Sequence, residues 1–146
     1  MIIMKKPLPA LTAWSPQRPR PAILIVEDQI IIATAMRDSL IELGADVVGP
    51  CLTLQIALDV AASAKIDAAV LDVWLNGELS YPVAEILVRR NIPFLFTSGV
   101  NVDREPPQFH RFPRLLKPFS DAELLSALST LWAAPRAVPP TPPFAA

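Results

Sequence analysis

Four short apolar runs in this 146-residue chain stop at residues able to do acid, base or nucleophilic chemistry. Ala22–Val26 runs into Glu27-Asp28, Ala68–Leu71 into Asp72, Ile92–Phe96 into Thr97-Ser98, and Arg114–Leu116 into Lys117. Three carboxylates brought to one place repel and raise one another's pKa unless a cation accompanies them. With no histidine or clustered cysteine nearby, the donors are all oxygen, which suits Mg²⁺ better than Zn²⁺. Lys117 adds a compact positive charge, and a serine or threonine hydroxyl adds a donor. A carboxylate nucleophile, a hard divalent cation, a lysine and a hydroxyl make a site for phosphoryl transfer onto an aspartate. Asp72 would attack in line while the metal and Lys117 neutralise the transferred oxygens.

These groups are far apart in sequence, so the fold must gather them. Apolar runs of this length bounded by turn signals read as buried strands, at 22–26, 45–48, 68–72, 92–97 and 114–116. Helices are expected between them. Residues 29–43 carry Ile32, Met36, Leu40 and Leu43 at helical spacing and stop at Gly44. Thr53 caps a helix reaching about Ala64, with Leu54, Ala57, Leu58 and Ala61 as its apolar stripe. Another starts near Tyr81-Pro82 and ends about Arg90. The last opens on the capping box Ser120/Glu123, carries Leu124, Leu125, Leu128 and Leu131, and ends near Trp132–Ala134. Only 101–113 breaks the alternation: Pro106, Pro107 and Pro113 leave room for a short or irregular helix at most. Alternating strands and helices predict an α/β three-layer sandwich, a parallel five-stranded sheet with right-handed crossovers. Its strand carboxyl ends share one edge, where ligands bind in such sheets.

Composition limits the other classes. Five of the 13 basic residues and none of the 14 acidic ones lie in 1–21 and 134–146, leaving 8 against 14 for positions 22–133. An acidic core argues against direct nucleic-acid binding through phosphates. Ten of the 17 prolines also lie in those two ends, so a flexible tail at 1–21, one domain at 22–133 and a flexible tail at 134–146 are expected. Trp14 and Phe144, the aromatics of the tails, are expected to be loosely held. Cys51 is the sole cysteine, in keeping with a reducing cytoplasm and a plain packing role. No stretch is long and apolar enough for a membrane span, and Lys5-Lys6 followed by repeated prolines leaves no signal-peptide core. His110 has no partner at ligand or catalytic spacing.

The acidic pair Glu27-Asp28, Asp72, the hydroxyl before Gly99 and Lys117-Pro118 together resemble the receiver domain of two-component response regulators, over about residues 22–133. Val47-Val48-Gly49-Pro50 and Pro93-Phe94-Leu95-Phe96-Thr97-Ser98-Gly99 are similar to stand-alone receivers of alphaproteobacteria, whose fourth strand ends in a Phe-x-Thr-Gly-Tyr motif. The resemblance implies a flavodoxin-like (βα)5 fold, strand order 2-1-3-4-5. It implies phosphorylation of Asp72 by a phosphohistidine on a sensor kinase or phosphotransfer protein. Mg²⁺ would be held by Asp28, Asp72 and the backbone carbonyl of Trp74, with Glu27 acting through water. Ser98 would be the switch hydroxyl, Thr97 the alternative, and Lys117 the phosphoryl-binding cation. With nothing beyond residue 134 able to fold as an effector, the expected output is contact with a downstream protein, a relay or a phosphate sink, from a monomer or weak dimer.

Several positions depart from the family pattern. Ser98 and Val100 stand where the motif has Thr and Tyr. Arg114 occupies a place usually held by an aromatic, three residues before the lysine. The proline-broken 101–113 falls on the face that normally signals output, and phosphorylation is expected to order or move it. Trp74, two residues after Asp72, is expected either to overhang the site and hinder the hydrolytic water or to lie on the surface beside the loop. An aspartyl-phosphate phosphatase would want a general-acid Asp at that position, which excludes that class. The rival reading is a pseudo-receiver, a binding module indifferent to phosphate.

Overall fold

The computed structural model describes residues 20–99 and 105–133. All but Arg20 and Pro21 of the expected tails, Val100, and residues 101–104 of the proline-broken stretch lie outside the described residues. In chain order the elements are β1 (Ala22–Val26), α1 (Ile30–Glu42), β2 (Asp46–Cys51), α2 (Leu54–Ser63), β3 (Ala68–Asp72), β4 (Trp74–Leu75), β5 (Glu78–Leu79), α3 (Tyr81–Arg89), β6 (Phe94–Ser98), a 3₁₀ turn (Pro107–Phe109), β7 (Arg114–Leu116) and α4 (Asp121–Ala133). The large sheet runs β2-β1-β3-β6-β7, every pair parallel. Counting only its own five strands, that is 2-1-3-4-5, the doubly wound order expected.

Strand periodicity splits the core into two layers. Leu24, Val26, Ala69, Leu71, Phe94 and Phe96 project to one face, against Ala57 and Ala61 of α2 and Val83, Ala84 and Leu87 of α3. Ile23, Ile25, Val70 and Leu95 project to the other, against Met36 and Leu40 of α1 and Leu124, Leu125 and Leu128 of α4. Successive strand residues point to opposite faces, so a sheet covered on both sides needs these near-continuous apolar strands.

Local signals act where the sequence puts them. Thr53 Oγ1 accepts from the Ile56 amide at 3.2 Å. Ser120 and Glu123 close their box, Ser120 Oγ accepting from the Glu123 amide at 3.1 Å and Glu123 Oε1 from the Ser120 amide at 3.3 Å. Gly44 follows α1 with φ +94°. Pro82 sits in the first turn of α3.

Two stretches differ from expectation. β2 does not stop at Val48 but continues through Gly49-Pro50 to Cys51, its register against β1 shifting between Leu24 and Val26. β2 is an edge strand, where a proline's missing donor is tolerated. The loop after Asp72 folds into a small antiparallel hairpin, Trp74 opposite Leu79 and Leu75 opposite Glu78. Asn76 and Gly77 form its tip at φ 51° and 83°, as a type I′ turn requires. The proline-broken stretch is as expected: in place of a full crossover helix its described residues hold only the 3₁₀ turn.

Gly49 has φ +96°, and a Cβ there would meet the Cys51 amide nitrogen at 2.6 Å and the Ile25 carbonyl at 3.0 Å. Both neighbours are backbone and cannot swing away. Gly49→Ala should therefore destabilise the fold by about 2 kcal/mol or more, read as a lower urea midpoint at unchanged slope.

Candidate functional site

The carboxyl ends of β1, β3, β6 and β7 bring together what the sequence scatters. Lys117, directly after β7, sends its Nζ to Glu27 Oε2 at 2.6 Å and to Asp72 Oδ2 at 2.8 Å. Both contacts are ion pairs, with the Glu27 side chain fully buried and that of Asp72 nearly so. Ligand oxygens of Glu27, Asp28 and Asp72 lie within 4.8 Å of one another. Three hard anionic donors that close, with one lysine to offset them, fit an oxygen-ligated divalent cation. Five strand-end positions singled out from sequence (Glu27, Asp28, Asp72, Ser98 and Lys117) thus share one edge of the sheet.

Backbone amides fix the carboxylates. The Trp74 amide donates to Asp72 Oδ1 at 3.2 Å, the Gln29 amide to Glu27 Oε1 at 3.0 Å, and the Asn76 amide to Asp28 Oδ2 at 2.9 Å. Asn76 was not singled out from sequence. Its side chain also donates to the Leu52 carbonyl at 3.3 Å, so the hairpin tip ties the loop after β2 to the loop after β1. Asn-Gly between apolar residues is the strongest short hairpin signal, and that signal was available.

The two hydroxyls at the end of β6 occupy different settings. Thr97 pairs with Asp72 in register, and its carbonyl accepts from the Val73 amide at 3.0 Å. Its hydroxyl is buried with no hydrogen-bond partner among the described residues. The Ser98 carbonyl accepts from the Lys117 amide at 2.8 Å, holding the lysine's backbone against β6. Ser98 is buried at the rim of the site, as the last residue of its strand.

Trp74 is 45 % exposed, on the outer side of a hairpin whose Leu75 is buried. His110 bonds the Glu105 carbonyl through Nε2 at 2.9 Å, away from the carboxylates. Cys51 is buried, and burial raises its thiol pKa, the opposite of an activated cysteine.

Electrostatics follow from burial and pairing. Burial pushes Glu27 up to about 7, against the lowering hydrogen bonds from Lys117 and the Gln29 amide. Burial raises Asp28 too, but the Asn76 amide and further hydrogen bonds outweigh it, and its carboxyl ends below the ordinary value. Lys117 is lowered by burial and raised by its bonds to Asp72 and Glu27; the bonds win, and the ammonium is held above its ordinary value. In metal-free protein the sign for Glu27 is fixed. Its proton is retained when folded up to about 7 but lost near 4.5 when unfolded. Its contribution to stability is therefore full below 4.5 and lost as pH rises through about 7. The Asp28 contribution is lost only below 3.8 and that of Lys117 only above 10.5, both outside this window. Glu27→Gln should remove the slope: across that window, thermal melts in a metal chelator should show the wild type losing stability relative to the variant as pH rises.

Neither the family models nor the curated proteins compared with the chain give a match. Solved structures do. SdrG from Sphingomonas melonis Fr1 is 42 % identical with TM-score 0.68, over 77 % of this chain and 96 % of that one. Its BeF3-activated conformation, from a source given as Pseudomonas melonis Fr1, is 41 % identical with TM-score 0.65, over 76 % and 95 %. At 20 % identity and TM-score 0.69, over 77 % of this chain and 99 % of that one, the chemotaxis protein CheY4 of Vibrio cholerae shares the fold. The strand order, the edge that gathers the carboxylates and the lysine, and the 42 % identity to SdrG lead to one assignment: the chain belongs to the CheY-like receiver domains of response regulators.

Proposed function

We propose that this chain is a single-domain response regulator that accepts a phosphoryl group on Asp72 in a Mg²⁺-dependent reaction. What carries the reading is the bridging position of Lys117 Nζ between Glu27 and Asp72. The lysine is already within reach of the oxygen that would carry the phosphoryl group, and a second cation is needed only to balance the remaining charge.

In this reading a carboxylate oxygen of Asp72 attacks the phosphorus of a phosphohistidine. The new O–P bond forms as the N–P bond to the histidine breaks, and the imidazole leaves with the N–P electron pair. Asp28 and Asp72, with the backbone carbonyl of Trp74 and with Glu27 through water, would hold Mg²⁺. When bound, the metal supplies neutralisation of the charge on the transferred oxygens. Lys117 re-pairs from the two carboxylates to a phosphoryl oxygen, and the Ser98 hydroxyl (Thr97 being the alternative) donates to another. The chain then performs no turnover beyond gaining and losing its own phosphoryl group.

A donor protein has a surface to meet. Ile30 and Ile31 in the first turn of α1, Trp74 and Leu79 on the hairpin, and Leu116 before Lys117 are large apolar side chains left exposed. All five lie close in sequence to the site residues. Large apolar side chains left exposed beside a site favour a protein as its partner, in keeping with a sensor kinase or phosphotransfer protein as donor. A cytoplasmic setting belongs to the same proposal, in keeping with the sole cysteine, Cys51; among the described residues no helix is long and apolar enough to cross a membrane. The 22–133 unit is the receiver, and the proline-rich stretches at 1–21 and 134–146 are its tails.

Two measurements test this. Incubation with acetyl phosphate and Mg²⁺ should add one phosphoryl mass to the wild type and none to Asp72→Ala, nor to wild type held in chelator; addition to neither chain would instead support a phosphate-independent binding module. Trp74→Asn should shorten the acyl-phosphate lifetime by about threefold or more, about 0.7 kcal/mol of barrier, measured as mass loss after donor removal. An unchanged lifetime would leave Trp74 with only its backbone role.

A further inference from the structure

A second cluster lies on the α3 face of β6, away from the carboxylates. Arg114, the first residue of β7, is the register partner of Phe96, and its guanidinium carbon sits 5.3 Å from the centre of that ring. The same guanidinium forms an ion pair with Glu105, the side chains being 25 % and 4 % exposed. Tyr81, the first residue of α3, meets Phe96 edge-on at 5.8 Å and stacks on Phe109 at 4.9 Å. Phe112 stacks on Phe94 at 4.4 Å. Residues 105–112 contain one 3₁₀ turn and no strand, so their place against the sheet is set by these side chains rather than by a backbone ladder.

With Glu105 buried and Arg114 partly so, the pair is weak support for stability, but an arrangement that separates its members leaves the buried Glu105 carboxylate unpaired at a cost. That makes a contact with discrete made and broken states, the kind of element through which two sites can be coupled. One end of the coupling is already visible. β7 is three residues long, with Arg114 at its start and Lys117 immediately after its end, about 10 Å apart at the usual strand rise. Lys117 is tied to Ser98 through its backbone and to Glu27 and Asp72 through its Nζ. A new anion on Asp72 must change the Nζ partners, and β7 is too short to absorb that change along its length.

We propose that the Arg114–Glu105 pair is an ionic latch that makes the position of residues 105–112 answer to occupancy of the Asp72 site. It rests on the phosphoacceptor reading and adds the route by which occupancy leaves the site. A charge pair takes a role that an uncharged ring cannot take here, because position 114 holds an arginine.

Beryllofluoride with Mg²⁺, as phosphoryl mimic, tests it on the full chain. In the wild type, amide exchange at Gln108–Phe112 should change by about fivefold or more, the lower end of ordinary coupling between sites. Amides of Val73 and Trp74 report whether the mimic occupies the site. The neutral double variant Arg114→Met/Glu105→Gln strands no charge, and should keep the Val73 and Trp74 response while losing that at 108–112. The swapped pair Arg114→Glu/Glu105→Arg should recover it, and decides the matter if the neutral pair fails to fold. A response at 108–112 undiminished in the neutral pair, or absent from a swapped pair whose site still responds, overturns the latch. No response at Val73 and Trp74 in the wild type removes the phosphoacceptor reading and the latch together. A wild-type response confined to Val73 and Trp74 removes the latch alone.

Discussion

One lysine makes the rest of this arrangement tenable. Glu27 and Asp72 are buried carboxylates whose oxygens approach within 4.8 Å of each other and of Asp28, and a buried anion without a partner is among the costliest things a fold can hold. Lys117 meets both at hydrogen-bond distance. Its position in turn depends on β7, on the Ser98 carbonyl that receives its amide, and on the strand order that places β7 next to β6 and β6 next to β3. The doubly wound topology can thus be seen as a means of bringing position 117 to positions 27 and 72.

Burial raises Glu27 to about 7, while bonds to Asp72 and Glu27 hold Lys117 above its ordinary value. The lysine is shared between two acids, and the third, Asp28, is satisfied instead by backbone N–H groups. A cluster of three acids in that condition fits a cation.

Much of this was legible in the sequence. Each strand-end acid or lysine could be located because a buried strand has no other use for a charge, so Glu27, Asp28, Asp72 and Lys117 stood out against Ala, Ile, Leu and Val. The helix starts were legible for a similar reason, since Thr53, Ser120 and Glu123 have local hydrogen-bonding roles that packing does not override. What was not legible depended on contacts between distant residues. The continuation of β2 to Cys51 depends on β1 accepting a shifted register, and the Glu105–Arg114 pair joins positions that no periodicity relates. Asn76 lies between: its turn was local and readable, but its bond to Asp28, 48 residues earlier, was not.

The irregular path of β2 also bears on what the borders of the sheet offer to another chain. An exposed strand edge offers unpaired amides and carbonyls to any neighbouring chain. β2 forms one border of the sheet and contains Pro50, which has no amide to offer, beside a glycine that shifts the ladder. The opposite border, β7, is three residues long. Neither border presents a long, flat template, so the sheet resists growing by strand addition. Away from the strand borders, α1, α2 and α3 leave Ile30, Ile31, Ile41, Ile56 and Val88 exposed.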